Sequence, residues 1–157
     1  MLNRINVYDL DGTVICSLHR YRTIKENGAH RIDLDHWREN EKHALKDSLL
    51  PLAAQYQRDL KSDYIYTVVA TARVLNEPDM FFINNVLGRP NHIISRRGND
   101  DQRGGAQLKI AGLRKLLSLK QFQNKEIHFF EDNENYLREV CNAIGAVPHF
   151  IPSRQGH

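Results

Sequence analysis

The sequence predicts an α/β fold, a three-layer Rossmann-like parallel sheet with helices on both faces. Three observations point there. Short apolar runs rich in β-branched and aromatic residues alternate with helical patterns, as in a parallel sheet with crossover helices. Asp9, Thr71 and Asp132 each stand just past the end of such a run, where doubly wound sheets place their ligands. The chain has 157 residues, enough for one substantial core, so a single domain over 1–157 is expected.

The elements follow in order. Ile5-Asn6-Val7-Tyr8 reads as a buried strand that stops at Asp9-Leu10-Asp11-Gly12-Thr13. Residues 14–35 have no clean period and read as a loop or hairpin-like flap. Residues 36–61 carry the longest helical pattern, with Leu45, Leu49, Leu52, Tyr56 and Leu60 on one face and Asp35 as a candidate N-cap. Pro51 inside it should kink or split the helix. Together 14–61 make a flap with room for a small helical lid. Residues 64–70 read as a buried strand, followed by Thr71-Ala72-Arg73. Residues 78–87 read as a helix with Pro78 in its first turn. His92–Ser95 is a short strand, and the Arg96–Gly105 stretch, rich in Arg, Asp and Gly, must be a loop. A helix over 106–119 turns Leu108, Leu113, Leu116 and Leu117 inward. Ile127–Phe130 is a strand ending in Glu131-Asp132-Asn133, and a last amphipathic helix stops at Gly145. Val147–Ile151 closes the chain as a short strand.

Chemistry gathers at the strand ends. Asp9 and Asp11 stand one residue apart where the chain must turn, and carboxylates that close repel unless a cation or proton sits between them. Hard oxygen ligands favour Mg2+, and a carboxylate can itself act as nucleophile toward phosphorus. The stretch therefore suggests magnesium-assisted phosphoryl transfer with Asp9 attacking. An ordinary Asp-x-Asp-Gly turn fits the same residues. A calcium loop does not, because the apolar Val14-Ile15-Cys16 follows where further oxygen ligands are needed. Adjacent acids after a buried strand, Glu131 and Asp132, are costly without a cation, although an acidic helix start also suits them. Thr71 could equally cap a turn, and Lys109 could be a surface lysine.

Asp9-Leu10-Asp11-Gly12-Thr13 resembles motif I of the haloacid dehalogenase-like phosphohydrolases, and the other three motifs follow in order at Thr71, Lys109 and Glu131-Asp132. The resemblance spans nearly the whole chain. It implies a Mg2+-dependent phosphatase with an aspartyl-phosphate intermediate. Asp9 would be the nucleophile and Asp11 the proton donor and then the base. Thr71 would bind the phosphoryl group, and Lys109 would offset charge. Asp9, Asp132 and the Asp11 carbonyl would hold the metal, with Glu131 acting through a bound water.

Many members of the family that the chain resembles insert a cap domain after motif I or between motifs II and III. The intervals from Asp9 to Thr71 and from Thr71 to Lys109 are too short for one of ordinary size, so the resemblance implies a small cap or none. An open site suits a large substrate such as a nucleic-acid end. Arg96, Arg97 and Arg103, with Ala72 and Arg73 after Thr71, are candidate substrate-binding residues, since guanidiniums bind phosphate bidentately. The segment from Ser95 to Arg103 and then Lys109 is similar to the matching region of polynucleotide kinase 3'-phosphatase domains. That resemblance implies a substrate among nucleic-acid 3'-phosphate ends or nucleotides. A 5'-deoxyribonucleotidase acting on small nucleoside monophosphates is the alternative within the same chemistry. A non-catalytic nucleic-acid-binding module is the alternative outside it. No Gly-x-x-x-x-Gly-Lys-Ser/Thr loop is present, so no kinase is expected.

The remaining bounds are broad. A net charge of +3 permits a polyanionic partner without requiring one. Cys16 and Cys141 lie far apart without metal-like spacing, as expected of reduced thiols in a cytoplasmic protein. The first strand begins within a few residues of Met1, leaving no room for a signal peptide. No apolar run approaches the ~20 residues of a membrane helix. The eight histidines show no zinc spacing. His19 is expected on the surface, Trp37 in the core, and Tyr21 is a candidate for stacking on a base.

Overall fold

The computed structural model describes residues 1–17 and 47–153, with the backbone of 23–26 and 29–32. In chain order the strands are β1 (Arg4–Tyr8), β2 (Ile15–Cys16), β3 (Thr23–Glu26), β4 (Ala29–Ile32), β5 (Ser48–Leu49), β6 (Ile65–Ala70), β7 (His92–Ile94), β8 (Glu126–Glu131) and β9 (Val147–Phe150). The helices are α1 (Ala53–Leu60), α2 (Glu77–Phe82), α3 (Gly105–Leu117) and α4 (Glu134–Ile144). A π-helical turn, Ile83–Gly88, continues α2.

Five strands form a sheet in the order β7-β6-β1-β8-β9, and every pairing in it is parallel. This is the α/β architecture that the alternation of strand and helix patterns predicts. β1 lies in the middle, with Ile5, Val7 and Tyr8 wholly buried. One face of the sheet packs Ile5, Val7, Val68, Ala70 and Phe129 against Leu108, Leu113 and Leu116 of α3 and Leu137 and Val140 of α4. The other packs Tyr8, Val69 and Phe130 against Tyr56 of α1 and Phe82, Ile83 and Leu87. The Tyr8 hydroxyl donates to Asp59 (2.5 Å), which also accepts from the Asn6 amide (2.8 Å), tying α1 to the sheet.

Helix boundaries have local causes. α2 opens on a reciprocal cap: the Asn76 side chain accepts from the Asp79 N–H (2.8 Å) and the Asp79 carboxylate from the Asn76 N–H (3.0 Å). At α4 the Asn133 side chain accepts from the Tyr136 N–H (3.1 Å). Gly145 ends that helix at φ +73°, a left-handed conformation glycine adopts without steric cost.

The long helix expected over 36–61 is corrected in its described part. Ser48–Leu49 pairs antiparallel with Ile15–Cys16, and the helix starts only at Ala53. Pro51 is the reason: it lacks an N–H and crowds the preceding turn, so it stands ahead of the helix rather than within it. Leu49 is largely exposed, whereas Leu52, Tyr56 and Leu60 do share the inward face. The hairpin-like flap has its counterpart in β3 and β4, which pair antiparallel. Asp35, Trp37, Leu45, His19 and Tyr21 lie outside the described residues. No helix among the described residues is long and apolar enough to cross a membrane.

Candidate active site

The register of the sheet builds the site. Tyr8 pairs with Val69 on one side and Phe130 on the other, so three parallel strands end at the same level. The residues that follow them, Asp9, Thr71 and Asp132, are carried to one rim. The Asp9 N–H donates to the Phe130 carbonyl (2.9 Å) and the Thr71 N–H to the Ile94 carbonyl (2.8 Å), so each departing chain is held by its neighbouring strand.

Asp9, Glu131 and Asp132 are all buried, and one carboxylate oxygen of each lies within 4.8 Å of the others. Lys109 joins them from α3 and is 1% exposed. Its ammonium donates to Asp9 Oδ1 (2.8 Å) and to Glu131 Oε1 (2.7 Å). Helical periodicity makes this reach available, because Gly105, Lys109 and Leu113 share the inward face of α3. Gly105 carries no side chain there because a Cβ would stand 2.7 Å from the Tyr136 ring. The second oxygen of Asp9 accepts from the Thr13 hydroxyl (3.0 Å). The second oxygen of Glu131 accepts from the backbone N–H of Asp132 (3.0 Å) and Asn133 (3.3 Å).

Three acids against one lysine leave an excess of negative charge, and the titration of the group reflects it. Burial acts to raise the Asp9 pKa, but the Lys109 charge and the surrounding hydrogen bonds outweigh it and hold Asp9 below its usual value. Burial and the neighbouring Asp9 charge push Glu131 well up, and the same two causes raise Asp132 to about 7. Burial acts to lower the Lys109 pKa, while Asp9 and Glu131 keep it raised and the lysine charged.

This donor set fits a hard divalent cation such as Mg2+. It is all oxygen, its single cation Lys109 does not balance three acids, and Asp132 Oδ2 is a buried acceptor with no hydrogen-bond partner. The Asp11–Gly12 turn closes on that oxygen. A Cβ on Gly12, at φ +79°, would lie 2.2 Å from Asp132 Oδ2 and 2.6 Å from Ser153 Oγ. Glycine is required there both for its conformation and for the close approach.

A proton on Asp132 and a bound cation should therefore compete. The raised Asp132 pKa means the folded state binds more protons than the unfolded one between the ordinary value of 3.8 and about 7. By linkage, stability falls as pH rises through that window. Metal-free protein is expected to lose several degrees of Tm between about pH 5 and pH 8, at roughly 2–4 °C per kcal/mol for a chain of this size. Millimolar Mg2+ should restore more of it at pH 8 than at pH 5. Thermal melts with and without Mg2+ check this. A Mg2+ shift that is larger at the lower pH would contradict the assignment.

The other expected residues divide. Asp11 does not turn its carboxylate to the three-acid group. It meets Arg73, whose Nε donates to Oδ2 (3.0 Å) and whose Nη2 donates to Oδ1, and the Ser17 hydroxyl also donates to Oδ1 (2.6 Å). Thr71 is buried, and its hydroxyl oxygen accepts the Arg73 N–H (3.2 Å). Arg73, expected among the substrate-binding residues, is instead buried among acids: Asp11, Asp79 (2.7 Å) and Asp47 (3.7 Å).

Arg96 is likewise turned inward. Its Nε donates to the Ala72 carbonyl (2.7 Å) and its Nη1 to the carbonyls of Asp101 (2.5 Å) and Arg103 (2.7 Å), so it shapes the loop. Arg103 pairs with Asp101 (2.8 Å). Arg97 and Arg103, with Lys115, line a groove of about 430 Å³ between β7 and α3. Thr13, Ser17, Asp47, Asp79 and Ser153 are neighbours of the site that sequence reasoning missed. Thr13 and Ser17 could have been found as hydroxyls flanking the acid pair. Asp47 and Asp79 carry no local signal.

Comparisons with known proteins bear on the fold and the family. The sequence model of the family described as Bacteriophage T5 5'-deoxynucleotidase matches residues 1–101. A curated 5'-deoxynucleotidase of Escherichia phage T5 is 28% identical over 85 residues, which make up 52% of this chain and 34% of that protein. The chain thus spans about a third of the length of the curated relative it matches. A solved haloacid dehalogenase-like family hydrolase from Streptococcus pneumoniae superposes with a TM-score of 0.63 at 12% identity, covering 98% of this chain and 88% of that one. The fold is therefore that of the haloacid dehalogenase-like proteins. Through a matched stretch that carries Asp9, Asp11, Thr71 and Arg73 and ends before Lys109, the chain belongs to the Bacteriophage T5 5'-deoxynucleotidase family.

Proposed function

We propose that the protein is a phosphomonoesterase that removes phosphate from 5'-deoxynucleoside monophosphates, with Asp9 as nucleophile. The observation that carries the chemistry is the buried group of Asp9, Glu131 and Asp132 held by Lys109. Family membership supports the substrate class.

The low pKa of Asp9 keeps the attacking carboxylate ionised. One of its oxygens bonds to phosphorus as the ester oxygen departs, giving an aspartyl-phosphate. Asp11, as a carboxylic acid, gives its proton to the departing oxygen. As a carboxylate it then takes a proton from water, whose oxygen bonds to phosphorus and frees Asp9. The Thr71 hydroxyl, which accepts from the Arg73 N–H, keeps its own hydrogen for a phosphoryl oxygen. Lys109 offsets the charge of the acids throughout. Asp9, Asp132 and the Asp11 carbonyl would hold Mg2+, with Glu131 behind them, and the bound ion would supply Lewis-acid polarisation of the phosphoryl group. Within a single 1–157 domain, the part of 14–61 between β2 and β5 would supply the flap and small lid, since α1 packs against the sheet.

A nucleic-acid 3'-phosphate end is the second reading, favoured by Arg97, Arg103 and Lys115 along one groove. Phosphate release with Mg2+ from 5'-deoxynucleoside monophosphates, 3'-monophosphates and 3'-phosphorylated oligonucleotides separates the two. The 5'-monophosphates are expected to show the highest kcat/KM. A preference for the oligonucleotides would replace this substrate with the second one. Salt-sensitive oligonucleotide binding without any phosphate release would make the chain a binding module.

A further inference from the structure

We propose that Arg73 is a positioning residue that acts on the reaction through Asp11, fixing the orientation of the Asp11 carboxylate rather than binding substrate phosphate. The inference rests on the phosphatase reading above and deepens it.

The geometry is that of a fork held at its base. Arg73 presents Nε and Nη2 to the two oxygens of Asp11, an arrangement that sets the plane of a carboxylate and not merely its distance. Its Nη1 is occupied by Asp79 Oδ1 (2.7 Å). The other oxygen of Asp79 is engaged by the Asn76 N–H in the cap of α2 (3.0 Å). Asp47, next to β5, stands 3.7 Å from Nη2. Arg73, Asp79 and Asp47 are all buried. The guanidinium is thus anchored to α2 and to the far end of the flap segment, and a rigid support behind a reacting group is what holds it in productive geometry.

Two features argue against a phosphate-binding role. The three edges of the guanidinium face carboxylates, and a phosphate brought there would meet Asp11, Asp47 and Asp79 as like charges. Three acids also outnumber the single cation, so Asp79 and Asp47 hold the guanidinium in place while Asp11 remains on its fork.

The test uses two esters with different leaving groups. A nucleoside alkoxide needs a proton from Asp11 as it departs, whereas p-nitrophenolate does not. Arg73→Gln is expected to slow single-turnover release of the nucleoside by ~10²-fold or more, within the range general acid–base groups supply. KM should stay within about threefold, and the first-turnover burst with p-nitrophenyl phosphate should persist. In an Asp11→Asn background the same substitution should cost less than about threefold more, because residues acting as one unit are not additive. Arg73→Lys keeps the charge without the fork and should show the same pattern at smaller size. It carries the comparison if Arg73→Gln does not fold. A rise in KM with kcat preserved, equal loss of both bursts, or additivity with Asp11→Asn would overturn the inference while leaving the phosphatase reading intact. Wild-type protein inactive on both esters would remove that reading and this inference with it.

Discussion

Asp9→Asn is expected to lose turnover by ~10⁴-fold or more while remaining folded, the scale at which removal of a nucleophile acts in comparable covalent mechanisms. In barrier height that is upwards of about 5 kcal/mol, at 1.36 kcal/mol per tenfold. The amide keeps the shape of the side chain and can still meet the Lys109 ammonium and the Thr13 hydroxyl, the two groups that hold Asp9. What it lacks is the charge and the lone pair that attack phosphorus. The fold should tolerate it because the change also removes one of the acids crowding Glu131 and Asp132, whose pKa values Asp9 raises. Both should titrate lower in the variant. Steady-state phosphate release on a 5'-deoxynucleoside monophosphate, with circular dichroism beside it, checks the pair of expectations. Phosphatase activity retained within tenfold of wild type would take the nucleophile role away from Asp9. Failure to fold would show that the acid is structural first.

The reach of the sequence reading follows from where each signal resides. The central strands were legible because the C-terminal parts of β1, β6 and β8 are buried on both faces and spell short, mainly apolar runs, interrupted only by Asn6, Thr67 and His128. Asp9, Thr71 and Asp132 were legible for the same reason, since a polar residue directly after such a run is carried to the rim by the sheet itself. Lys109 needed the motif order as well, because its buried face of α3 looks in sequence like any amphipathic helix. The region before Ala53 was misread because Leu49 happens to continue the period of Leu52, Tyr56 and Leu60. A strand as short as Ser48–Leu49 has no period of its own. The acid shell of Arg73 was invisible for a different reason. Asp79 carries no local signal, Asp47 falls inside the helical pattern over 36–61, and Arg73 reads as a candidate phosphate ligand. Only the third dimension shows that they converge. The same holds for Arg96, whose guanidinium is spent on backbone carbonyls of its own loop and its neighbour rather than on a ligand.

Lys109→Met should cost the protein both activity and stability, and the second loss should depend on pH. The methionine fills much the same volume and keeps contact with the Phe129 and Tyr136 rings, which the ammonium approaches at 5.8 and 5.6 Å. It removes the only cation that hydrogen-bonds both Asp9 and Glu131 among the described residues. Breaking a buried ion pair from one side costs about 3–5 kcal/mol, and here two carboxylates are left behind. They can answer only by taking up protons. Asp9, now held low chiefly by the lysine, should then rise, so that the folded state binds protons the unfolded state does not. Stability of the variant should fall more steeply than wild type as pH rises above the ordinary carboxylate range. It should recover toward acid pH, where the acids are neutral. A protonated Asp9 is no nucleophile, so activity near neutrality should fall by ~10²-fold or more, the size of a lost electrostatic contact at a reacting centre. Urea unfolding at pH 5 and pH 8, read against Lys115→Met on the exposed face of the same helix, separates this from a general effect of losing a lysine. A Lys109→Met protein as stable as wild type at pH 8, or one that turns over normally, would mean the three buried acids are balanced by something other than this side chain.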